Sequence, residues 1–127
     1  MSISIGSPIN IDSETSNNSW TNIYAGPVAP GDVVALQVSC MARKASNGDC
    51  AFWEKRALFR RDDTDPLVLI GSVLDLTNPI KTLGAALWDF RLRSDNDDYF
   101  YIDVKGASGA DVGWYVFGDG VILDYPA

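Results

Sequence analysis

Few residues in this chain are equipped for chemistry. Glu54 stands two and six positions before Arg56 and Arg60, and with Asp89 it offers the carboxylates of a hydrolytic pair. Glycoside hydrolysis needs two carboxyl groups facing each other across a cleft, one of them with a raised pKa. Arginines beside Glu54 favour its ionised form instead, so an ion pair is the expected role. The aspartate clusters Asp62/Asp63/Asp65 and Asp95/Asp97/Asp98 carry the hard oxygens that calcium takes. Neither has the EF-hand spacing or its closing glutamate; solvated turn residues are expected there, and no metal site is assigned. Histidine is absent. That removes the usual general base, the usual metal ligand and any Ser/His or Cys/His nucleophile pair. Cys40 and Cys50 lie ten residues apart, outside zinc and redox spacings, and two thiols without histidine do not complete a zinc site. A bridge between them needs a hairpin register that brings them together; buried free thiols are the expectation. Gly118-Asp119-Gly120 is followed by neither the lysine nor the helix of a phosphate loop, and reads as a bulge or turn. No catalytic residue and no cofactor is expected.

Aromatic residues are the remaining candidates. Trp20, Trp53, Trp88 and Trp114, with Tyr99, Tyr101 and Tyr115, suit either a platform for sugar rings or the anchors of a protein interface, where such side chains are enriched. Trp88 and Trp114 fall in register with other apolar positions and read as core. Trp20 and Tyr101 stand in more polar surroundings and read as exposed contacts.

The element that would position most of these groups is the strand Phe52 to Arg61. Trp53, Ala57 and Phe59 point one way with Lys55 among them, and Phe52, Glu54, Arg56, Leu58 and Arg60 point the other. Large apolar groups and charges share both faces. A free-standing sheet would show one apolar face and one polar face, so this strand is expected to pack on the core on one side and on a neighbouring subunit on the other.

Hydrophobic residues make up 46% of the 127 residues, enough for one packed domain. Net charge is −7, which disfavours a phosphate-backbone partner. Almost all the acidity is aspartate, a turn residue, and it serves solubility. No apolar run approaches the ~20 residues that span a membrane. The start, Met1 to Gly6, lacks the basic and apolar blocks of a signal peptide, so synthesis in a reducing cytoplasm is expected.

Residues 1–19 are expected to be an N-terminal arm or edge strand and loop, with Ile3 and Ile5 as its contacts, and residues 20–127 the main domain. Trp20 to Ala25 reads as a short strand closed by Gly26-Pro27. Asp32 to Arg43 follows, with Val34, Leu36, Val38, Cys40 and Ala42 on one face. Asn47-Gly48 turns the chain into the strand at 52–61. Leu67 to Leu76, apolar on both faces, reads as a buried interior strand. Thr77 to Gly84 is an irregular crossover around Pro79. Ala86 to Leu92 and Phe100 to Val104 form a hairpin, and Val112 to Phe117 and Val121 to Tyr125 close the chain. The whole is expected to be all-β, an antiparallel β-sandwich of about seven to nine strands.

Several short motifs occur in order: Met41-Ala42-Arg43-Lys44, Asn47-Gly48-Asp49, Phe52-Trp53-Glu54-Lys55-Arg56 running to Arg60-Arg61, Leu69-Ile70-Gly71-Ser72, Ala86-Leu87-Trp88-Asp89, and Val104-Lys105-Gly106 with Trp114. Over residues 32–124 this order resembles a small β-sandwich domain that recurs in tail-fibre, baseplate and other structural proteins of tailed phages. Cys50 and the long apolar Leu74–Leu83 segment depart from its pattern. The resemblance implies a non-enzymatic virion protein, assembled in the host cytoplasm, that binds copies of itself as a homotrimer and binds other virion proteins. Chain length favours a capsid decoration or cement protein. The alternative is a receptor- or carbohydrate-binding module of a tail fibre or baseplate, with a surface glycan as partner. The expected interface residues are Ile3, Ile5, Trp20, Trp53, Glu54, Arg56, Arg60 and Tyr101.

Overall fold

The computed structural model describes residues 2–5 (backbone only), 8–45 and 48–124. The described residues form eleven strands and one short 3-10 turn, and no α-helix. Three long strands make the frame: β4 (Asp32–Lys44), β5 (Cys50–Arg60) and β11 (Val112–Asp124). They run antiparallel in unbroken register, with Trp114 opposite Ala42 and Cys40 opposite Trp53. Strands β1 (Ser2–Ile5) and β2 (Ile9–Thr15) share the outer edge of β11. The opposite edge, that of β5, meets three two-residue strands: β6 (Val68–Leu69), β7 (Leu74–Asp75) and β8 (Ile80–Lys81). A second, three-stranded antiparallel sheet orders β3 (Thr21–Pro27), β10 (Tyr99–Lys105) and β9 (Asp89–Ser94).

The sheets pack face to face through rings. Trp53 on β5 lies 5.8 Å from Trp114 on β11 and 6.2 Å from Phe90 on β9, and Phe59 stacks 5.6 Å from Phe100 on β10. Alternation along β4 buries Val34, Leu36, Val38, Cys40 and Ala42, as the sequence pattern predicts. A clamp joins the two layers at one end. Arg61 donates to the carbonyl of Val28 at 2.9 Å and pairs with Asp98 at 3.0 Å, while the Leu67 N–H bonds the Asp97 carbonyl. The Asp-rich stretches are turns, with Asp63 and Asn96 at positive φ. Asp62 and Asp95 pair with Arg60 and Arg93.

Four sequence expectations are corrected. Leu67 to Leu76 is no buried strand: Leu67 is buried but Leu74 and Leu76 are exposed. Pro66 precedes it, Gly71 turns it at φ +67°, and it touches the β5 edge only in passing. Gly118-Asp119-Gly120 does not break its strand, since β11 keeps register with β4 through all three residues. The glycine there is a matter of space: a Cβ on Gly118 would lie 2.1 Å from the Gln37 carbonyl oxygen. Likewise Gly26-Pro27 belongs to β3 rather than closing it, because a Cβ on Gly26 would enter the Phe100 ring. Finally, Cys50 is exposed while Cys40 is buried. The register pairs Cys50 with Arg43 and Cys40 with Trp53, so the thiols are not bridged. Burial pushes the Cys40 thiol well above its ordinary pKa, the nearby Lys55 opposing this weakly.

Gly118→Ala is expected to destabilise the fold by about 1–3 kcal/mol, the range for forcing extra volume into a packed site. Urea denaturation with an unchanged m-value would show it, and a midpoint equal to wild type would contradict the close approach.

Candidate functional site

Because Trp53, Ala57 and Phe59 face inward, every other residue of β5 is turned outward. Phe52, Glu54, Arg56, Leu58 and Arg60 therefore lie on the outer face of the large sheet, half-buried or exposed. On β4 the outward residues include Ala35, Gln37, Met41 and Arg43, and on β11 Tyr115, Phe117, Asp119, Val121 and Leu123. Register aligns these into rows. One row runs Asp12, Tyr115, Met41, Phe52, Ile80 across five strands. Its three central side chains and Ile80 line an open groove of about 710 Å³. Met41 is 49% exposed and Ile80 67%, and Phe117 stacks on Tyr115 at 5.3 Å. These side chains form a continuous apolar band on the outer sheet face rather than scattered exposure. Beyond it, Leu83 at 93% and Leu87 at 86% exposure project from the 3-10 turn region.

The polar groups of this face are arranged around the groove. Arg56 donates to the Gln37 side-chain oxygen at 2.9 Å, and Arg60 pairs with Asp62 at 3.1 Å. Glu54 makes no ion pair among the described residues, a correction to the expected pairing with those arginines. Asp89 lies on the other sheet, where it accepts the Phe90 N–H. The pair needed for glycoside hydrolysis is therefore not brought together.

A different surface forms on the outside of the small sheet. Asp103 is buried there and accepts hydrogen bonds from Arg91 at 2.8 Å, from Arg93, and from Asn22 at 3.1 Å. Burial raises its pKa, but the bonds from Arg93, Arg91 and Asn22 outweigh it, and the carboxyl ends below its ordinary range. Aromatic rings cover the arginines: Arg91 lies 4.1 Å from the Trp20 ring and Arg93 4.6 Å from that of Tyr101. The Tyr101 hydroxyl donates to Asp97. That bond pushes Tyr101 up to about 12 and, with the Tyr99 N–H, holds Asp97 below the usual carboxylate range.

The residues expected at one interface thus separate. Glu54, Arg56 and Arg60 share the large sheet's outer face. Trp20 and Tyr101, each half-buried, sit outside the small sheet. Trp53 is 1% exposed and belongs to the core, because the inward parity of β5 carries it there. Ile3 and Ile5 stand opposite Leu123 and Val121 in backbone register, but their side chains fall outside the described residues. Sequence reading missed Tyr115, Met41 and Ile80 as partners of Phe52. They are far apart in the chain, and only cross-strand register unites them.

No family model matches this sequence, and no match was found among curated proteins. Among solved structures the chain is similar to a tailspike protein of Acinetobacter baumannii phage AM24, at 7% identity and a TM-score of 0.47, over 93% of this chain and 26% of that one. It is also similar to the tailspike protein of Acinetobacter phage vB_ApiP_P1, at 11% identity and a TM-score of 0.45, over 98% of this chain and 22% of that one. The chain therefore spans about a quarter of the length of those tailspikes. A likeness at this level is too distant to carry their activity or partners across.

Asp103→Asn is expected to cost about 1–3 kcal/mol at neutral pH, since the bonds lost are charge-assisted. A carboxyl whose folded pKa is depressed contributes stability that is present above its unfolded pKa, near 3.9, and lost as pH falls through the folded value. Thermal unfolding followed from pH 7 down to pH 2 should show a shallower acid decline in the variant. Parallel curves would contradict the assignment.

Proposed function

We propose that this chain is a non-enzymatic assembly and binding module of a tailed-phage tail, attached to another protein surface through the outer face of its large sheet. The observation that carries this is the row Tyr115, Met41, Phe52, Ile80, an apolar band laid across strands whose inner face already holds the core. Covering such a band contributes ~25 cal/mol per Å² of apolar surface removed from water, with its aromatic rings as the anchors. The phage assignment rests on the ordered motifs over residues 32–124, a pattern resembling domains of tail fibres and baseplates. Capsid decoration rested on chain length alone, and no feature of the described fold supports it. Without histidine and with Glu54 and Asp89 on different sheets, the reading is of binding and not of turnover.

A second reading has its own observation. Trp20 and Tyr101 flank the fixed Arg91–Asp103–Arg93 cluster, an array of rings beside polar groups of the kind that receives a sugar. In that reading the small sheet meets a host surface glycan while the large sheet holds the virion. Host polysaccharide would then change the Trp20 fluorescence, and a flat titration across host glycans would reject it.

The docking reading is tested by complementing a phage that lacks this protein with wild type or with the double variant Met41→Asp, Tyr115→Asp. Both positions are exposed, so the variant should fold, with a circular dichroism spectrum like that of wild type. Its incorporation into particles should fall by about a hundredfold, the loss of two anchor contacts of roughly 1–2 kcal/mol each. Immunogold label on wild-type particles should fall on the tail. Equal incorporation of the variant would reject the docking face, and label spread over the capsid would reject the tail placement.

A further inference from the structure

Part of the outer face of the large sheet is arranged symmetrically about its middle strand. Three cross-strand rows show it, each centred on a β4 residue: Tyr115–Met41–Phe52, Asp119–Gln37–Arg56 and Val121–Ala35–Leu58. The flanking positions, one on β11 and one on β5, are ring and ring, acid and base, and aliphatic and aliphatic. Position on the centre line is held by a flexible thioether, a carboxamide that can bond its own copy, and a small methyl.

A twofold interface requires this kind of self-complementarity, in which residue i of one copy meets j of the other and j meets i. We propose that the occupant of this face is a second copy of the same chain, the two large sheets stacking about a twofold axis that runs along β4. This rests on the reading of the face as a docking surface and goes beyond it by naming the partner and the symmetry. Rotation about that axis preserves strand direction and reverses each row. Tyr115 then lies on Phe52 of the second copy, Val121 on Leu58, and Asp119 on Arg56. Met41, Gln37 and Ala35 meet their own counterparts. Sheets stacked this way lie about 10 Å apart with strands within about 30° of aligned.

Three rows remain. Gly113–Arg43–Cys50, at the Lys44 end of β4, would bring Arg43 against its own counterpart, a like-charge contact that has to stay solvated. Leu123 would cover the aliphatic stem of Arg60. Phe117 would face Glu54, whose carboxylate has no ion pair among the described residues and would lie one row, about 7 Å along the strands, from the hydroxyl of Tyr115. The mirrored rows lie on three strands over about ten residues, roughly 500 Å² at ordinary strand spacing, at the small end beside the ~800 Å² per partner of a standard interface. A foreign partner would not require ring to mirror ring and acid to mirror base across β4. The threefold assembly that the sequence resemblance implies has no such signature among the described residues.

Sedimentation equilibrium at micromolar concentration tests the proposal. Wild type should run at twice 13.8 kDa. Arg56→Asp and Asp119→Arg should each run as monomers, because each sets two pairs of like charges face to face, weakening association by about a hundredfold. An equimolar mixture of these two variants should return to the dimer mass, since every contact then joins opposite charges. Far-UV circular dichroism confirms that each variant is folded. A monomeric wild type, a trimer mass, a single variant that stays dimeric or a mixture that stays monomeric would each overturn the twofold pairing. A monomeric wild type whose incorporation into virions still depends on Met41 and Tyr115 would overturn the partner while leaving the docking face in place.

Discussion

The indole stack between the sheets is the contact on which the rest depends. Trp53 and Trp114 come from strands two apart in the large sheet, and Trp88 reaches Trp114 at 6.3 Å from the entry to β9. Rings of this size bury about 150–250 Å² each, more than other side chains here can offer. The rims of the stack are partly satisfied: the Trp114 indole donates to Thr15 at 2.9 Å, and Lys81 lies over the Trp53 ring. Seating these rings sets which residues of β5 and β11 face inward. A slip of one residue would expel both indoles. The same parity then obliges Phe52, Leu58 and Tyr115 to face out. Parity fixes which positions face outward, and the presence of Phe, Leu and Tyr at those positions gives the outer surface its apolar band.

Much of this architecture was legible in the sequence, and the reasons divide cleanly. Val34 to Ala42 places an apolar residue at every second position against a mixed opposite face, so the buried side of the Asp32 to Arg43 strand could be read directly. Gly48, Asp63 and Asn96 sit at positive φ in turns that the sequence announces through residues tolerating that conformation, while Asn47 lies outside the described residues. Phe100, Ile102 and Val104 were placed correctly for the same reason as Val34 and Leu36. What failed was local reading of effects that are not local. Gly118 looks like a strand breaker until the neighbouring backbone of Gln37 is seen pressed against it. Leu67 to Leu76 is apolar enough for a core strand, yet two turns divert it to the rim. Asp103 reads as a surface residue by alternation, but Arg91, Arg93 and Asn22 converge on it and bury it. Of the outward residues of the large sheet, Glu54, Arg56 and Arg60 could be grouped from the sequence because they share one strand with the core tryptophan. Met41 and Tyr115 could not, because no pattern along the chain links them to Phe52.

The two outer surfaces are built on different physics. Outside the small sheet, each guanidinium is held by a carboxylate beneath and a ring beside it, so the groups are fixed before any partner arrives. Outside the large sheet the side chains are mostly thioether, phenyl and aliphatic, with few directional bonds among them. The first surface is suited to selecting a partner by geometry, the second to holding one by area. A module with both can be fastened on one side and selective on the other without moving any strand.

The outer edge of β5 bears on how such a module associates. Strands β6, β7 and β8 each take two residues of that edge and then turn away. The Ile70, Leu76 and Thr82 N–H groups bond the carbonyls of Leu58, Glu54 and Cys50. An uncovered edge would invite another chain to add a strand and begin a ribbon without end. Here the ladder's free hydrogen-bonding groups are consumed piecemeal by a crossover too irregular to serve as a template. The large sheet can be stacked on but not lengthened on that side, so growth by strand addition is blocked there while face-to-face association stays open.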